Sequence, residues 1–243
     1  MFVIGERINP AGKPKLRRAI EQTDSSFIQN ETLRQERAGV QAIDLNVFIA
    51  GTDRIQAMQA VVKAARSVTK LPLAIDDQDP AVVEAGLKEA GSNALINSPM
   101  ESETSHPKLF SLSRQFRAGI MTLPMKKGRI PQSSAEHLEA SRTILRRALD
   151  DGFSKDQITF DAILWPLKQA KGKVMETLDR IKQLKEELDV KAVIGLSNVS
   201  YGMKNRAELN ARFLRLATSA GLDCVICDPL QKEVMAAAKT EQV

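Results

Sequence analysis

Aspartate and asparagine close one short apolar run after another in this chain. Phe2-Val3-Ile4 leads to Glu6, Arg7 and Asn9; Ala42-Ile43-Asp44-Leu45 carries Asp44 and ends on Asn46; Leu73-Ala74-Ile75 ends on Asp76-Asp77; Ala94-Leu95-Ile96 ends on Asn97-Ser98. Further on, Gly119-Ile120-Met121-Thr122-Leu123 ends near Thr122, with Met125 and Lys126 just beyond. Ile158-Thr159-Phe160 ends on Asp161, Ala192-Val193-Ile194 on Gly195-Leu196-Ser197-Asn198, and Cys224-Val225-Ile226 near Asp228. Each such residue has an ordinary use, because Asp, Asn and Ser favour helix N-caps and turns. Their recurrence at corresponding positions along the chain is harder to explain by capping alone. A carboxylate can accept two parallel hydrogen bonds from an amino group and a ring N–H, and an amide can satisfy a neighbouring donor and acceptor. Such a set suits a flat, neutral heterocycle edged with N–H and carbonyl groups, and each charge-assisted bond contributes about 1.5–3 kcal/mol. A phosphate would call for a glycine-rich loop after the last strands, where Asp228-Pro229 stands instead. These positions hold no histidine, no serine–histidine pair, no metal cluster and no lysine placed for a Schiff base.

The elements that must position these residues follow from the same runs. They are too short for helices and apolar on both faces, as in a parallel sheet covered on both sides. Amphipathic segments lie between them. Ile55, Met58, Val62, Ala65 and Val68 form one stripe; Val174, Leu178, Ile181, Leu184 and Leu188 a second; Leu209, Phe213, Leu216 and Ala220 a third. Ala90-Gly91 and Ala220-Gly221 stop helices just before strands. A last short helix is expected over about Gln231 to Lys239. The alternation predicts an α/β fold, a (β/α)8 TIM barrel formed as a single domain by residues 1–243. In such a barrel the site lies at the C-terminal ends of the strands, where the polar residues fall.

Composition narrows the class further. The 243 residues are 43% hydrophobic and 27% charged, ordinary for a globular enzyme. No apolar run is long enough for a membrane span, and the opening Met1-Phe2-Val3-Ile4-Gly5-Glu6-Arg7 does not read as a signal peptide, so a cytoplasmic protein is expected. The net charge of +5 is spread among acidic residues, as in Lys182-Gln183-Leu184-Lys185-Glu186-Glu187, a pattern of solvated helix faces. With aromatics at 4%, no stacking platform for nucleic acid is evident. Cys224 and Cys227 lie on one strand and point to opposite faces, so buried, inert thiols are expected rather than a metal or disulfide pair.

Several segments then carry a resemblance. Ile4-Gly5-Glu6-Arg7-Ile8-Asn9, Ala42-Ile43-Asp44-Leu45-Asn46-Val47 and Leu95-Ile96-Asn97-Ser98 resemble motifs of the methyltetrahydrofolate:corrinoid protein methyltransferases. Ile194-Gly195-Leu196-Ser197-Asn198-Val199-Ser200, continuing through Asn205-Arg206 to Asn210 and Phe213-Leu214, resembles that family's seventh-strand segment closely. The family shares its pterin-binding barrel with the folate domain of methionine synthase and with dihydropteroate synthase. The resemblance implies that Asp76, Asn97 and Asp161 hold the polar edge of the pterin. It implies that Gly195 and Ser197 line the pocket and that Asn198 hydrogen-bonds the N5 region, with Glu6, Asp44, Asn46 and Arg206 in support. The chain departs from the family pattern at Asp77, where a small hydroxyl residue is common, and at Ala162, where proline is common.

What the resemblance implies for function is methyl transfer between a corrinoid and N5 of tetrahydrofolate or methyltetrahydrofolate. The corrinoid is carried by a partner protein, no protein-bound metal is called for, and a homodimer is implied. Methylcorrinoid to tetrahydrofolate, as in a demethylation pathway, is the preferred direction. Ser200-Tyr201-Gly202-Met203-Lys204 is a candidate partner contact, with a solvated loop as its ordinary alternative. Two other readings stay open. A folate-binding or corrinoid-docking protein without turnover would not require Asn198. Dihydropteroate synthase would carry an Asn-x-Thr-Pro-Asp-Ser-Phe loop after the first strand, where Asn9-Pro10-Ala11-Gly12 stands.

Overall fold

Strands of this chain end on the polar residues themselves. In the computed structural model, which describes residues 1–101, 106–170 and 172–239, the third, fourth and eighth strands close on Asp76, Asn97 and Asp161. The strands are β1 (Phe2–Ile8), β2 (Ala42–Asn46), β3 (Leu73–Asp76), β4 (Ala94–Asn97), β5 (Met100–Glu101), β6 (Gly119–Thr122), β7 (Pro124–Met125), β8 (Ile158–Asp161), β9 (Lys191–Gly195) and β10 (Cys224–Cys227). The helices are α1 (Pro14–Glu21), α2 (Ser25–Arg37), α3 (Arg54–Arg66), α4 (Pro80–Ala90), α5 (His106–Phe116), α6 (Ser134–Asp150), α7 (Lys173–Gln183), α8 (Arg206–Ser219) and α9 (Lys232–Lys239). All eight expected strands are present, and they form a closed barrel in the order β1-β10-β9-β8-β6-β4-β3-β2. Ala42, Ile43, Leu45, Leu73, Ala74, Ile75, Ala192 and Ile194 are each wholly buried. Burial on both faces is what helix-covered parallel strands require.

Two compact units make up the described chain. One comprises Ile4–Ser98 and Lys108–Ile120. Here β1 pairs with β2, β2 with β3 and β3 with β4, all parallel. Asn46 stands opposite Asp76, and Asp76 opposite Asn97, so all three lie at one level of adjacent strands. Aspartates begin its helices: Asp24 accepts from the Phe27 N–H at 3.1 Å, Asp53 from Ile55 and Gln56 at 3.0 and 3.2 Å, and Asp79 from Ala81 at 2.9 Å. Each cap is worth about 1 kcal/mol. The α3 stripe is buried at Met58, Val62 and Ala65, but Ile55 is exposed and Val68 lies beyond the helix end. Between β1 and β2 the chain forms a pair of helices, α1 and α2, rather than one crossover helix.

The other unit comprises Met1–Val3, Pro99–Pro107 and Met121–Val243. In it β9 pairs with β8 and with β10. Met100 and Glu101 also pair in parallel with Pro124 and Met125, a small sheet the apolar runs did not disclose. Helix α7 runs on through a wide turn over Leu184–Leu188 that keeps Leu184 and Leu188 buried, and Asp189 ends it in the left-handed region at φ 53°. The α8 stripe is a correction. The buried set is Asn210, Ala211, Phe213, Leu214 and Ala217, whereas Leu216 is 51% exposed. The inward face follows Ala211, Phe213, Leu214 and Ala217, and polar Asn210 is accommodated on it by donating its amide to Gln231 Oε1 at 3.0 Å. Cys224 and Cys227 are buried and form no disulfide, and burial pushes the Cys224 thiol up to about 11. Among the described residues no helix is long and apolar enough to cross a membrane.

Candidate active site

At the ends of β2, β3 and β4 the polar side chains bond one another across strands. Asn46 donates its amide to Asp76 Oδ2 at 2.9 Å, and Asn97 donates to Asp44 Oδ1 at 2.8 Å. Asp44 and Asn46 share a strand face because side chains repeat every second residue. The cluster therefore holds carboxylates and amides alternately. Burial, reinforced by the nearby charge of Asp76, pushes the Asp44 carboxyl well above the ordinary range against the opposing Asn97 bond. Glu6 adds to that push, and the ammonium of Lys13 offsets part of it. Burial also raises Asp76 to about 6, against the Asn46 hydrogen bond and with a contribution from Asp77. A buried carboxylate and a partly buried one, with mainly amide partners, favour incoming N–H donors.

Asp77 does something different from Asp76. Both its oxygens accept from Arg54 Nη1, at 2.7 and 2.9 Å, and Oδ1 also accepts from the Asp79 N–H at 2.8 Å. The Arg54 guanidinium in turn lies over the Phe48 ring, 5.5 Å from its centroid. Where the resembling family carries a small hydroxyl, this chain thus has an ion-paired aspartate that pins the β3–α4 turn to α3.

At the end of β8 the contacts go to the backbone. Asp161 Oδ1 accepts from the Ile163 N–H at 2.7 Å, closing a tight turn in which Ile163 takes φ 58°. A β-branched residue in that region is strained and needs surrounding support. Thr177 supplies some of it, donating its hydroxyl to the Ile163 carbonyl at 2.9 Å. His137 supplies more, with Nε2 at 2.8 Å from the Asp161 carbonyl. A carbonyl only accepts, so Nε2 carries the proton. Burial pushes His137 down to about 4, helped by the charge of Arg180, so the ring is neutral near pH 7. Its Nδ1 has no hydrogen-bond partner among the described residues. Arg180 is wholly buried, bonds Glu176 at 3.1 Å, and its charge also interacts with Asp161. Ala162 is buried and its N–H donates to the Val193 carbonyl at 2.9 Å, a bond that a proline there could not make, so the turn is set by these contacts instead.

At the end of β9 the chain enters a single tight turn over Leu196–Asn198. Gly195 is extended there, and its lack of a Cβ matters: that atom would stand 3.2 Å from Asn198 Nδ2. The exposed Asn198 amide folds back over the strand end through that gap. Arg206 braces the same turn, donating Nη2 to the Ser197 carbonyl and Nε to Ser200 Oγ, both at 3.0 Å. Ser200 is buried, whereas Tyr201 and Met203 stand out from the surface.

Each predicted residue therefore lies at or near a strand end. Asp44, Asn46, Asp76 and Asn97 are joined in one cluster beside Glu6. Gly195, Ser197, Asn198 and Arg206 are joined in one turn, and Asp161 sits in another. His137, Thr177, Arg180 and Ile163 were not foreseen. A lone histidine on an amphipathic helix reads as ordinary core, and nothing in its spacing points 24 residues on to Asp161.

A closed parallel barrel whose strands end in carboxylates and amides defines the class: a barrel built to hold a polar heterocycle. The chain belongs to the pterin binding enzyme family, whose model matches residues 5–228. Over 240 residues it is 24% identical to the methylcorrinoid:tetrahydrofolate methyltransferase of Eubacterium limosum, covering 98% of this chain and 88% of that protein. It is 27% identical over 239 residues to the methionine synthase of Mycobacterium tuberculosis, which takes in 93% of this chain but 20% of that longer enzyme. The dihydropteroate synthase of Xanthomonas albilineans, solved in complex with 7,8-dihydropteroate, superposes with a TM-score of 0.74 at 18% identity, covering 97% of this chain and 90% of that one. That likeness is one of fold.

Proposed function

We propose that this protein transfers a methyl group from a methylated corrinoid, carried by a separate protein, to N5 of tetrahydrofolate. In this reading Asp76, Asn97 and Asp161 bind the polar edge of the pterin, with Asp44, Asn46 and Glu6 supporting them. Gly195 and Ser197 line the pocket beside Asn198. N5 forms its new bond to the methyl carbon, the carbon–cobalt bond breaks with its electron pair left on cobalt, and the N5 proton departs to solvent. The reverse step, donation from methyltetrahydrofolate, crosses the same transition state. The Asn198 amide meets N5 where charge changes: its oxygen accepts from the N5–H as positive charge develops there, which lowers the barrier without a strong acid or base, and in methyltetrahydrofolate, whose N5 carries no proton, the same amide can turn to donate to N5. Positioning supplies the rest, since a fixed pterin need only wait for an in-line methyl donor.

The observation that carries this reading is the Asn198 amide, held over Gly195 at a strand end by a turn that Arg206 braces. A protein that merely stored folate would have no use for a donor there. Likeness to the methyltransferase of Eubacterium limosum over nearly the whole chain supports it. The test is to mix the protein with tetrahydrofolate and methylcobalamin, then follow demethylated corrinoid by absorbance and methyltetrahydrofolate by chromatography. Folate binding with neither product, also with methylated corrinoid proteins supplied, would reject methyl transfer and leave a binding protein.

A further inference from the structure

One strongly basic concavity takes no part in the roles assigned so far. A cavity of about 640 Å³ is lined by Arg7, Lys13, Pro14, Lys15, Leu16, Phe27, Glu31 and Arg34, all within the unit that carries the Asp44–Asp76 cluster. Its walls carry four cations against the single carboxylate of Glu31. That carboxylate serves to orient the cations: it bonds Arg7 Nε at 2.7 Å with one oxygen and Arg34 Nη1 with the other. Pro14, Leu16 and Phe27 add apolar surface between the charges. The cavity thus offers an apolar wall for a ring or methylene chain and cationic points for carboxylates.

Lys13 links this cavity to the strand-end cluster. Its ammonium donates to the carbonyls of Glu6 and Arg7, both at 3.1 Å, at the C-terminal end of β1. From there its charge acts on the carboxylate of Asp44, one of the supporting residues in the pterin reading. Helix α1, which begins at Pro14, has neither a side-chain cap nor an acidic residue in its first turn, so nothing at that end opposes an anion.

We propose that this cavity receives the anionic tail of the folate, the aryl amide with its glutamyl carboxylates, with Lys15 and Arg34 at its outer rim and Phe27 and Leu16 against the ring. The inference rests on the pterin reading above. It assigns to the α1–α2 pair, which a minimal barrel does not need, the task of favouring folates over bare pterins and longer glutamyl tails over shorter ones. Lys15 and Arg34 are exposed, so changing them leaves the fold intact.

The experiment is calorimetry on the wild-type protein and the double variant Lys15→Ala/Arg34→Ala. The probes are 6-methyltetrahydropterin, tetrahydrofolate and its triglutamate form. The expected result is that wild type binds the triglutamate most tightly. The double variant should lose about three- to tenfold in affinity for it, with less loss for tetrahydrofolate and no change for the bare pterin. Added salt should reproduce that pattern in the wild type. If all three compounds bind wild type, and the variant binds each as wild type does, the tail assignment is overturned and the pterin reading stands. Should none bind wild type, both fall together. Unchanged folate affinity combined with slower methyl exchange only from a methylated corrinoid protein would also overturn it, and would assign the cations to that partner instead.

Discussion

The cluster on β2, β3 and β4 and the turns after β8 and β9 use the same residue types in opposite ways. In the first, side chains satisfy side chains: Asn46 with Asp76, Asn97 with Asp44. In the second, side chains and backbone lock each other: Asp161 holds Ile163, His137 and Thr177 hold the backbone of that turn, and Arg206 holds Ser197. A side-chain network can exchange an internal partner for a ligand at modest cost, because each bond lost is replaced by one gained. A backbone-locked turn holds its geometry whether or not a ligand is present. The contrast teaches that one region is suited to recognition by exchange and the other to fixed placement of the groups it carries.

Substitutions can break or sharpen this comparison. The largest effect is expected at Asn198. Its replacement by alanine should slow single-turnover methyl transfer by about 2.7–4 kcal/mol in the barrier, with little change in melting temperature. Unaltered rates would remove fixed placement from the account. Next comes Asp161→Asn, which should weaken folate binding by about 1.5–3 kcal/mol, as an amide cannot accept two donors together. Equal affinity by calorimetry would show that this carboxylate serves its turn alone.

Gly195→Ala is a finer probe. The new methyl would crowd the Asn198 amide, which can shift by a few tenths of an ångström, at a cost of about 0.5–1.5 kcal/mol in transfer rate and little in stability. A stopped-flow rate equal to wild type would mean the amide is not held by that close approach.

The smallest effect is in pH dependence and concerns the other region. Burial raises Asp76 to about 6, and in the proposed reading its ionised form accepts the pterin donors. Folate affinity should therefore rise with pH through about 6, with proton release on binding below that value. Because its carboxyl is raised by burial, the contribution of Asp76 to folding stability runs the other way. It is present below the unfolded-state value near 3.8 and is lost as pH rises through about 6. Asp76→Asn should flatten both trends. An affinity profile that keeps its slope in that variant would place the titration elsewhere.

Strand positions were legible because runs such as Leu73-Ala74-Ile75 must be apolar on both faces and end where the chain meets polar surroundings. Helix faces were read less well. Apolar spacing put Leu216 inward on α8, but the buried face is Asn210, Ala211, Phe213, Leu214 and Ala217, and no hydrophobic pattern records the Asn210–Gln231 contact that lets a polar residue lie on it. Asp77 stood out in the sequence as a departure from the family pattern, and its pairing with Arg54 is what it does there instead.

Local chemistry along the chain, then, determined that β and α elements alternate and that carboxylates and amides cap the strands. Tertiary structure alone decided which of those groups meet. Asp44 finds Asn97 at a separation of 53 positions, and His137 reaches Asp161 at a separation of 24. Periodicity is a property of neighbours in sequence, whereas hydrogen bonds and cavities belong to neighbours in space. Folding brings the second kind together only after the first has placed each strand end.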